Sequence, residues 1–175
     1  MKNYNDIKYK RLYDIISYYK IKWCDNYNDL KDILYLQTTL LTTYCSKTKT
    51  GYSKAIPKEF YVSKRNLKFY KFCEEHELYY GILSDMYGLH FCDEKLDFYD
   101  IHPNSLTLEN KKNLGNIIRE KCNDRNINKI IFYAPSPLQS LPYFQMLSYS
   151  NIDFYYITKL DIINKNLSIS IMDLF

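Results

Sequence analysis

The sequence predicts an α/β fold: a mostly parallel sheet of about four strands with helices on both faces, in a single domain over residues 1–175. Three observations carry this. Short runs of β-branched and aromatic residues alternate with amphipathic helical patterns. No repeat, linker or shift in composition divides the chain. A chain of 175 residues that is 46% hydrophobic is also long enough to bury one sizeable core.

Taken in order, residues 5–22 place Ile7, Leu12, Ile15, Ile16 and Tyr19 close to helical spacing, which predicts an amphipathic helix. Asn28 or Asp29 caps a second, short helix through Leu36. Residues 36–44, rich in Leu and Thr, predict the first strand, which runs straight into Cys45-Ser46-Lys47. Residues 48–57 hold Gly51, Ser53 and Pro57 and read as a loop. Ser63 caps a helix to about His76, with Leu67, Tyr70 and Cys73 on one face.

Residues 78–83 form the second predicted strand, ending at Ser84-Asp85. Residues 86–104 contain Gly88 and Pro103 and show no period, so they read as a long loop of the kind that often carries function. Ser105 or Thr107 opens a helix to about Asn123, with Leu114, Ile117, Ile118 and Cys122 on its apolar face. Residues 129–133 are the third strand, ending at Ala134-Pro135-Ser136-Pro137, and a short helix follows over 141–149. Residues 154–157 are the fourth strand, ending at Thr158-Lys159; the tail to Phe175 fits a strand or a helix equally.

Composition narrows the class. No run of 18 apolar residues occurs, so no membrane partner is expected, and Met1-Lys2-Asn3-Tyr4-Asn5 lacks the apolar stretch of a secretory signal. The five cysteines, at 24, 45, 73, 92 and 122, are odd in number and contain no Cys-x-x-Cys pair. They predict reduced thiols in a reducing, cytoplasmic setting, not a zinc ribbon. With only four glycines and no Gly-x-Gly-x-x-Gly or Gly-x-x-x-x-Gly-Lys, a glycine-rich nucleotide cradle is disfavoured. The absence of Gly-x-Ser-x-Gly disfavours an α/β-hydrolase. The 20 tyrosines accompany many Lys, Asn and Ile, all with A/T-rich codons, so their abundance reads as base composition more than as a stacking surface.

Charge is segregated. Residues 47–71 hold eight Lys and Arg against one Glu, a net +7, while the rest of the chain sums to −3. Such a field suits an anionic ligand, a phosphate or a nucleic acid, and equally a solvated helix face.

In an open parallel sheet, ligands bind beyond the carboxyl ends of the strands. Here those ends carry Cys45-Ser46-Lys47, Ser84-Asp85, Pro135-Ser136 and Thr158-Lys159, which a parallel sheet gathers on one edge. Cys45 is a candidate nucleophile, its thiolate favoured by Lys47 and the basic segment beyond, or a small half-buried residue at a strand end. Lys47 fits anion binding or polarisation of a ring nitrogen, or a loop lysine; Asp85 fits a base or an amine ligand, or a turn cap. Ser46, Ser63, Ser84, Tyr87, Gly88, Tyr99, Tyr133, Ser136 and Lys159 are candidate substrate contacts. Lys49, Lys54, Lys64, Arg65 and Lys68 are candidate phosphate or nucleic-acid contacts. His90 and His102 flank the acidic Asp93, Glu94, Asp97 and Asp100, but the spacing matches no familiar ligand pattern. That stretch reads as a solvated loop, with no metal and no cofactor expected.

The order of these segments resembles a family of small bacterial and phage proteins. Its pattern is a Cys-Ser-x-Lys turn, a Leu-Tyr-x-Ser helix start, Ile-Leu-Ser-Ala-x-Tyr-Gly-Leu and a later Pro-Tyr-Asp. The matching residues are Cys45-Ser46-Lys47-Thr48-Lys49, Phe60-Tyr61-Val62-Ser63, Ile82-Leu83-Ser84-Asp85-Met86-Tyr87-Gly88-Leu89 and Phe98-Tyr99-Asp100. More distantly, the chain resembles the Cys-Ser-x-Lys-bearing domain of archaeosine synthase, which acts on a deazaguanine base in tRNA. The chain departs from the first pattern at Asp85, which replaces Ala. It departs from the second where Gly51-Tyr52-Ser53 stands in place of Pro-Tyr and no His follows until His76. The resemblance implies an enzyme acting on a (deaza)purine-type base or nucleotide, in nucleic-acid modification. A non-catalytic nucleotide-, nucleic-acid- or protein-binding module and a base-excising N-glycosidase-like hydrolase remain as alternatives.

Overall fold

The computed structural model describes residues 4–33 and 37–163. Its centre is a six-stranded sheet in the spatial order β1 (Lys22–Trp23), β8 (Asp153–Ile157), β7 (Lys129–Tyr133), β2 (Thr39–Tyr44), β4 (Tyr80–Ser84) and β5 (Gly88–Phe91). Every neighbouring pair is parallel except β4–β5, an antiparallel hairpin at one edge. A second, two-stranded ribbon pairs β3 (Lys54–Ala55) with β6 (Leu96–Asp97). The α/β class and the mostly parallel sheet follow the sequence reading; the strand count exceeds four.

The extra strands escaped the sequence for physical reasons. β1, β3 and β6 have two residues each, too few for a period. In β5 all four residues are buried, so the in–out alternation that marks a half-exposed strand is missing. Residues 86–104 are therefore a hairpin arm and a ribbon strand, not a long loop. Gly88 starts the arm at φ +67°, and a Cβ there would meet the Leu114 carbonyl oxygen at 2.8 Å. The close turn over Asp85-Met86-Tyr87 thus depends on a residue without a side chain.

The helices are α1 (Tyr4–Tyr18), the single turn α2 (Pro57–Phe60), α3 (Lys64–Glu75), α4 (Leu108–Asp124) and α5 (Leu141–Ser150). Residues 27–29 form only a 3-10 turn where a second helix was expected. Leu36, the tail beyond residue 163 and the side chain of Ile7 lie outside the described residues. α1 stops before the predicted residue 22 because Lys20 takes φ +51°, and Ile21 N–H then closes on the Ile16 carbonyl at 2.9 Å.

Layering follows from β7. Phe132 packs edge-on against Phe144 of α5, and its neighbour Tyr133 stacks on Phe69 of α3. Successive strand residues point to opposite faces, so α5 and α3 cover opposite sides of the sheet. α4 packs along α5 so closely that a Cβ on Gly115 would sit 2.6 Å from Tyr149 Cβ. On α3 the buried set is Asn66, Phe69, Tyr70, Phe72 and Cys73, while the predicted core residue Leu67 is 51% exposed. No helix among the described residues is long and apolar enough to cross a membrane.

Strand order places the site. From β2 the chain crosses through α3 to β4 on one side, and after the hairpin it returns through α4 to β7 on the other. Connections diverge on either side of β2, so a crevice opens beyond its carboxyl end.

Candidate functional site

β2 is a central strand that carries polar residues, and two of its three threonines, Thr42 and Thr43, bond to the neighbouring strand β7. Thr43 Oγ donates to the Tyr133 carbonyl at 2.9 Å, and Cys45 N–H donates to the Leu83 carbonyl at 2.8 Å. The strand end is held from one face by α3. Asn66 Nδ2 donates to the Tyr44 carbonyl at 3.1 Å, and Arg65 Nη2 donates to the carbonyls of Tyr44 and Cys45 at 2.8 and 3.0 Å. The Arg65 guanidinium also lies 3.4 Å over the Tyr44 ring, whose ring stacks with Tyr143 of α5. Ser63 caps α3 by accepting from Asn66 N–H. Arg65 is thus committed to holding the strand, which distinguishes it from Lys64 and Lys68, exposed on the same helix.

Beyond this strand end lies a cavity of about 580 Å³. Cys45, Ser46, Lys47 and Lys49 form one wall, Asp85 the floor, Asp100, Ile101 and His102 a second wall, and Tyr143 and Gln139 the third. At the floor, Cys45 Sγ donates to Asp85 Oδ2 at 3.0 Å, and Tyr143 Oη donates to the same oxygen at 3.4 Å. Cys45 and Asp85 are only 5% and 3% exposed. Asp85 Oδ1 is buried with no hydrogen-bond partner among the described residues. A buried acceptor of this kind is costly and uncommon in folded proteins.

The electrostatics reverse one expectation. Lys47 and the basic segment do not draw Cys45 toward the thiolate. Burial, then the adjacent Asp85 charge, pushes the Cys45 thiol up to about 12, with Tyr143 and Tyr99 opposing weakly. The resting sulfur is a protonated donor. Burial also raises the Asp85 carboxyl above the ordinary carboxylate value, although hydrogen bonds from Cys45 and Tyr143 and the charges of Lys49 and His102 work against the shift. Tyr143 is held well above its usual phenol value by burial and by the neighbouring sulfur and carboxyl.

A second buried polar chain starts one residue earlier. His90 Nε2 lies 2.7 Å from the Glu94 carbonyl, an acceptor, so Nε2 carries the proton. Burial lowers the His90 pKa and keeps the ring neutral, leaving Nδ1 bare. Tyr61 Oη therefore donates to Nδ1 at 3.4 Å, Tyr99 Oη donates to Tyr61 at 3.1 Å, and Ser84 Oγ donates to Tyr99 at 2.8 Å. Ser84 in turn accepts from the N–H groups of Met86 and Tyr87. Every proton in this chain has an assigned place.

The candidate residues therefore separate. Cys45, Ser46, Lys47, Lys49, Ser63, Arg65 and Asp85 come together around the cavity. Ser84 and Tyr99 are fully engaged in the second chain, Tyr87 Oη donates to the Asp97 carbonyl, and Gly88 forms the turn. Tyr133 is stacked in the core against Phe69. Ser136, Lys159, Lys54, Lys64 and Lys68 do not line the cavity, so two of the four expected strand-end corners do not converge on it. Sequence reasoning missed Tyr143, Gln139 and the wall at 100–103. Tyr143 lies two residues into an apolar helix and carries no local signal. The sequence reads Asp100 and His102 as part of a solvated acidic loop. Among the described residues no three His, Cys, Asp or Glu side chains gather as a metal-ligand set.

No family model, no curated protein and no solved structure matches this chain.

Proposed function

We propose that the chain is an enzyme acting on a (deaza)purine-type base or its nucleotide, bound in the cavity beyond β2 and β4, with Asp85 exchanging a proton with the ring. The observation that carries this reading is Asp85, which lines the 580 Å³ cavity and whose Oδ1 is buried with no hydrogen-bond partner among the described residues. A nitrogen heterocycle presents N–H groups that such an oxygen accepts, and a cavity of this volume takes a base with room beside it. Lys47 and Lys49 supply positive charge for ring acceptors or a phosphate, and Asp85 is placed to act as proton acceptor. The distant resemblance of the Cys45-Ser46-Lys47 turn to the corresponding turn of archaeosine synthase supports the same substrate class.

Both faces of the Tyr44 ring are taken, by Arg65 and Tyr143, so recognition through edge hydrogen bonds fits better than stacking on that ring. The exposed Lys54, Lys64 and Lys68 outside the cavity suit the phosphates of a longer nucleic acid.

The test is mass spectrometry of small molecules and nucleic acid that co-purify from the native host, followed by thermal shift with a purine panel. A bound purine derivative, lost in Asp85→Asn, is the expected result. A protein without bound base or nucleotide, and with no shift on any panel member, refutes the reading.

One observation favours a second reading, a non-catalytic binding module: the Cys45 thiol is buried and protonated, which suits a fixed hydrogen-bond donor better than a nucleophile. The two readings separate on whether the bound purine is recovered chemically unchanged after prolonged incubation with the protein.

A further inference from the structure

A second cavity of about 390 Å³ lies on the other side of Asp85. Asp85 and Ile101 line both cavities, so the two adjoin at these residues. The compartments differ in chemistry. The first is lined by Lys47, Lys49, Arg65 and His102 together with Asp85 and Asp100, whereas among the described residues the second has no cation and one charged residue, Asp85 itself. Its polar groups are Ser105, Asn110 and Asn113, set around Met86, Ile101, Leu106 and Leu114.

The hydrogen-bonding capacity left in this compartment is specific. Asn110 Oδ1 is committed to the N-cap of α4, accepting from Thr107 N–H and Oγ at 3.0 and 2.8 Å, and among the described residues its Nδ2 protons have no acceptor. Ser105 donates its proton to the His102 carbonyl at 2.7 Å and keeps its lone pairs. Asn113 has both ends of its carboxamide free among the described residues. The set therefore offers donors and acceptors side by side over an apolar floor.

A phosphate finds no cation here and meets the Asp85 charge. A primary ammonium meets the Asp85 charge but, donating only, leaves the free Nδ2 groups of Asn110 and Asn113 without an acceptor. A vicinal diol, whose hydroxyls each donate and accept, matches both halves of the set, and the apolar floor suits the C–H face of a furanose ring.

We propose that the second compartment is a subsite for the cis-diol of a ribose-type sugar, so that the substrate is ribosylated and not a free base. This rests on the reading of the first cavity as a base site. The base then lies on the cationic side of Asp85, the sugar on the neutral side, and the carboxylate faces the bond region between them.

The experiment is calorimetric titration with adenine and hypoxanthine, their ribonucleosides and their 2′-deoxyribonucleosides, against the wild-type protein, Asn113→Ala and Asn113→Trp. Asn113 is exposed and caps nothing, so both variants are expected to fold. The expected result is at least a fivefold loss of affinity on removing the 2′-hydroxyl, abolished by Asn113→Ala. Asn113→Trp, which fills the compartment, excludes nucleosides while leaving free-base affinity unchanged. Equal affinity for ribo- and deoxyribonucleosides overturns the sugar subsite alone, as does an Asn113→Ala effect equal on base and nucleoside. Failure of every base and nucleoside to bind overturns the base reading itself.

Discussion

Two buried polar clusters sit one residue apart at the end of β4, and they are built to opposite standards. The Ser84–Tyr99–Tyr61–His90 chain closes completely: each hydroxyl donates once and accepts at least once, and the last proton ends on the Glu94 carbonyl. The Cys45–Asp85–Tyr143 cluster brings two donors to one carboxylate oxygen and leaves the other oxygen without a partner among the described residues. Burial is similar in the two, so burial alone does not explain the difference. A satisfied network fixes a single arrangement of the core, while an unsatisfied one holds capacity for something that is not part of the chain. The hairpin turn at Gly88 places both clusters, and the boundary between scaffold and site falls between Ser84 and Asp85.

The comparison breaks most sharply if Cys45 proves reactive. A thiol pushed up to about 12 is almost wholly protonated at pH 8. Peptide-resolved iodoacetamide labelling should find it modified about three orders of magnitude more slowly than an unperturbed cysteine. In urea the difference should vanish. Labelling of Cys45 at the free-thiol rate in the folded protein would place a thiolate in the cavity and return the sulfur to the role of nucleophile.

Truncation of the closed chain should come next in size. His90→Ala removes the terminal acceptor for Tyr61, leaves the Glu94 carbonyl without its donor and opens a cavity, for an expected loss of about 3 kcal/mol in urea denaturation. Tyr99→Phe removes one hydroxyl from the middle and strands the Ser84 proton, for a loss of about 2 kcal/mol. Neither residue lines the cavity, so purine binding at saturating stability should survive both.

How much of this was legible in the sequence depends on how local its signal is. Strands such as 129–133, short runs of Ile, Phe and Tyr, and the cap at Ser63 declare themselves within a few residues. The place of Cys45 and Asp85 at adjacent strand ends followed from the parallel topology, because β2 and β4 pair directly with Tyr44 opposite Leu83. The end of α1 was illegible because a lysine, Lys20, occupies the left-handed position where glycine is the usual signal. The phase of α3 was misread for a related reason. Asn66 counts as polar in any pattern, yet it is buried because its carboxamide ties the helix to the Tyr44 carbonyl. Tyr143 and His102 reach the cavity only through tertiary packing of α5 and of the segment at 100–103, and no residue near them in sequence records that neighbour. The thiolate expectation for Cys45 failed because charge was counted along the chain. In space the nearest ionisable group is Asp85, which is 40 residues away in sequence.

The smallest expected effect tests the open cluster most directly, because its sign runs against the usual consequence of mutating a buried residue. Burial raises the Asp85 carboxyl above its unfolded value, so between the two values the folded state binds more protons than the unfolded state. Stability on this account falls as pH rises through that window, and the cost of a buried, half-satisfied carboxylate is present in full above it. His90, with its pKa lowered by burial, has the opposite slope: the unfolded state binds the extra proton, and stability is gained as pH rises through the unfolded value of about 6.5. Asp85→Asn keeps an oxygen to accept from Cys45 and Tyr143 and removes the buried charge. It should stabilise the protein at pH 7 by about 1 kcal/mol, a rise of about 2–4 °C in Tm, with the gain shrinking as pH falls toward the unfolded aspartate value near 4. The groups facing the carboxyl are Cys45, Tyr143, Lys49 and His102, so the same scan on Lys49→Ala should widen the window by removing a charge that opposes the shift. A destabilised Asp85→Asn at neutral pH would mean that the ionised carboxylate is satisfied after all, and that the two clusters are the same kind of structure.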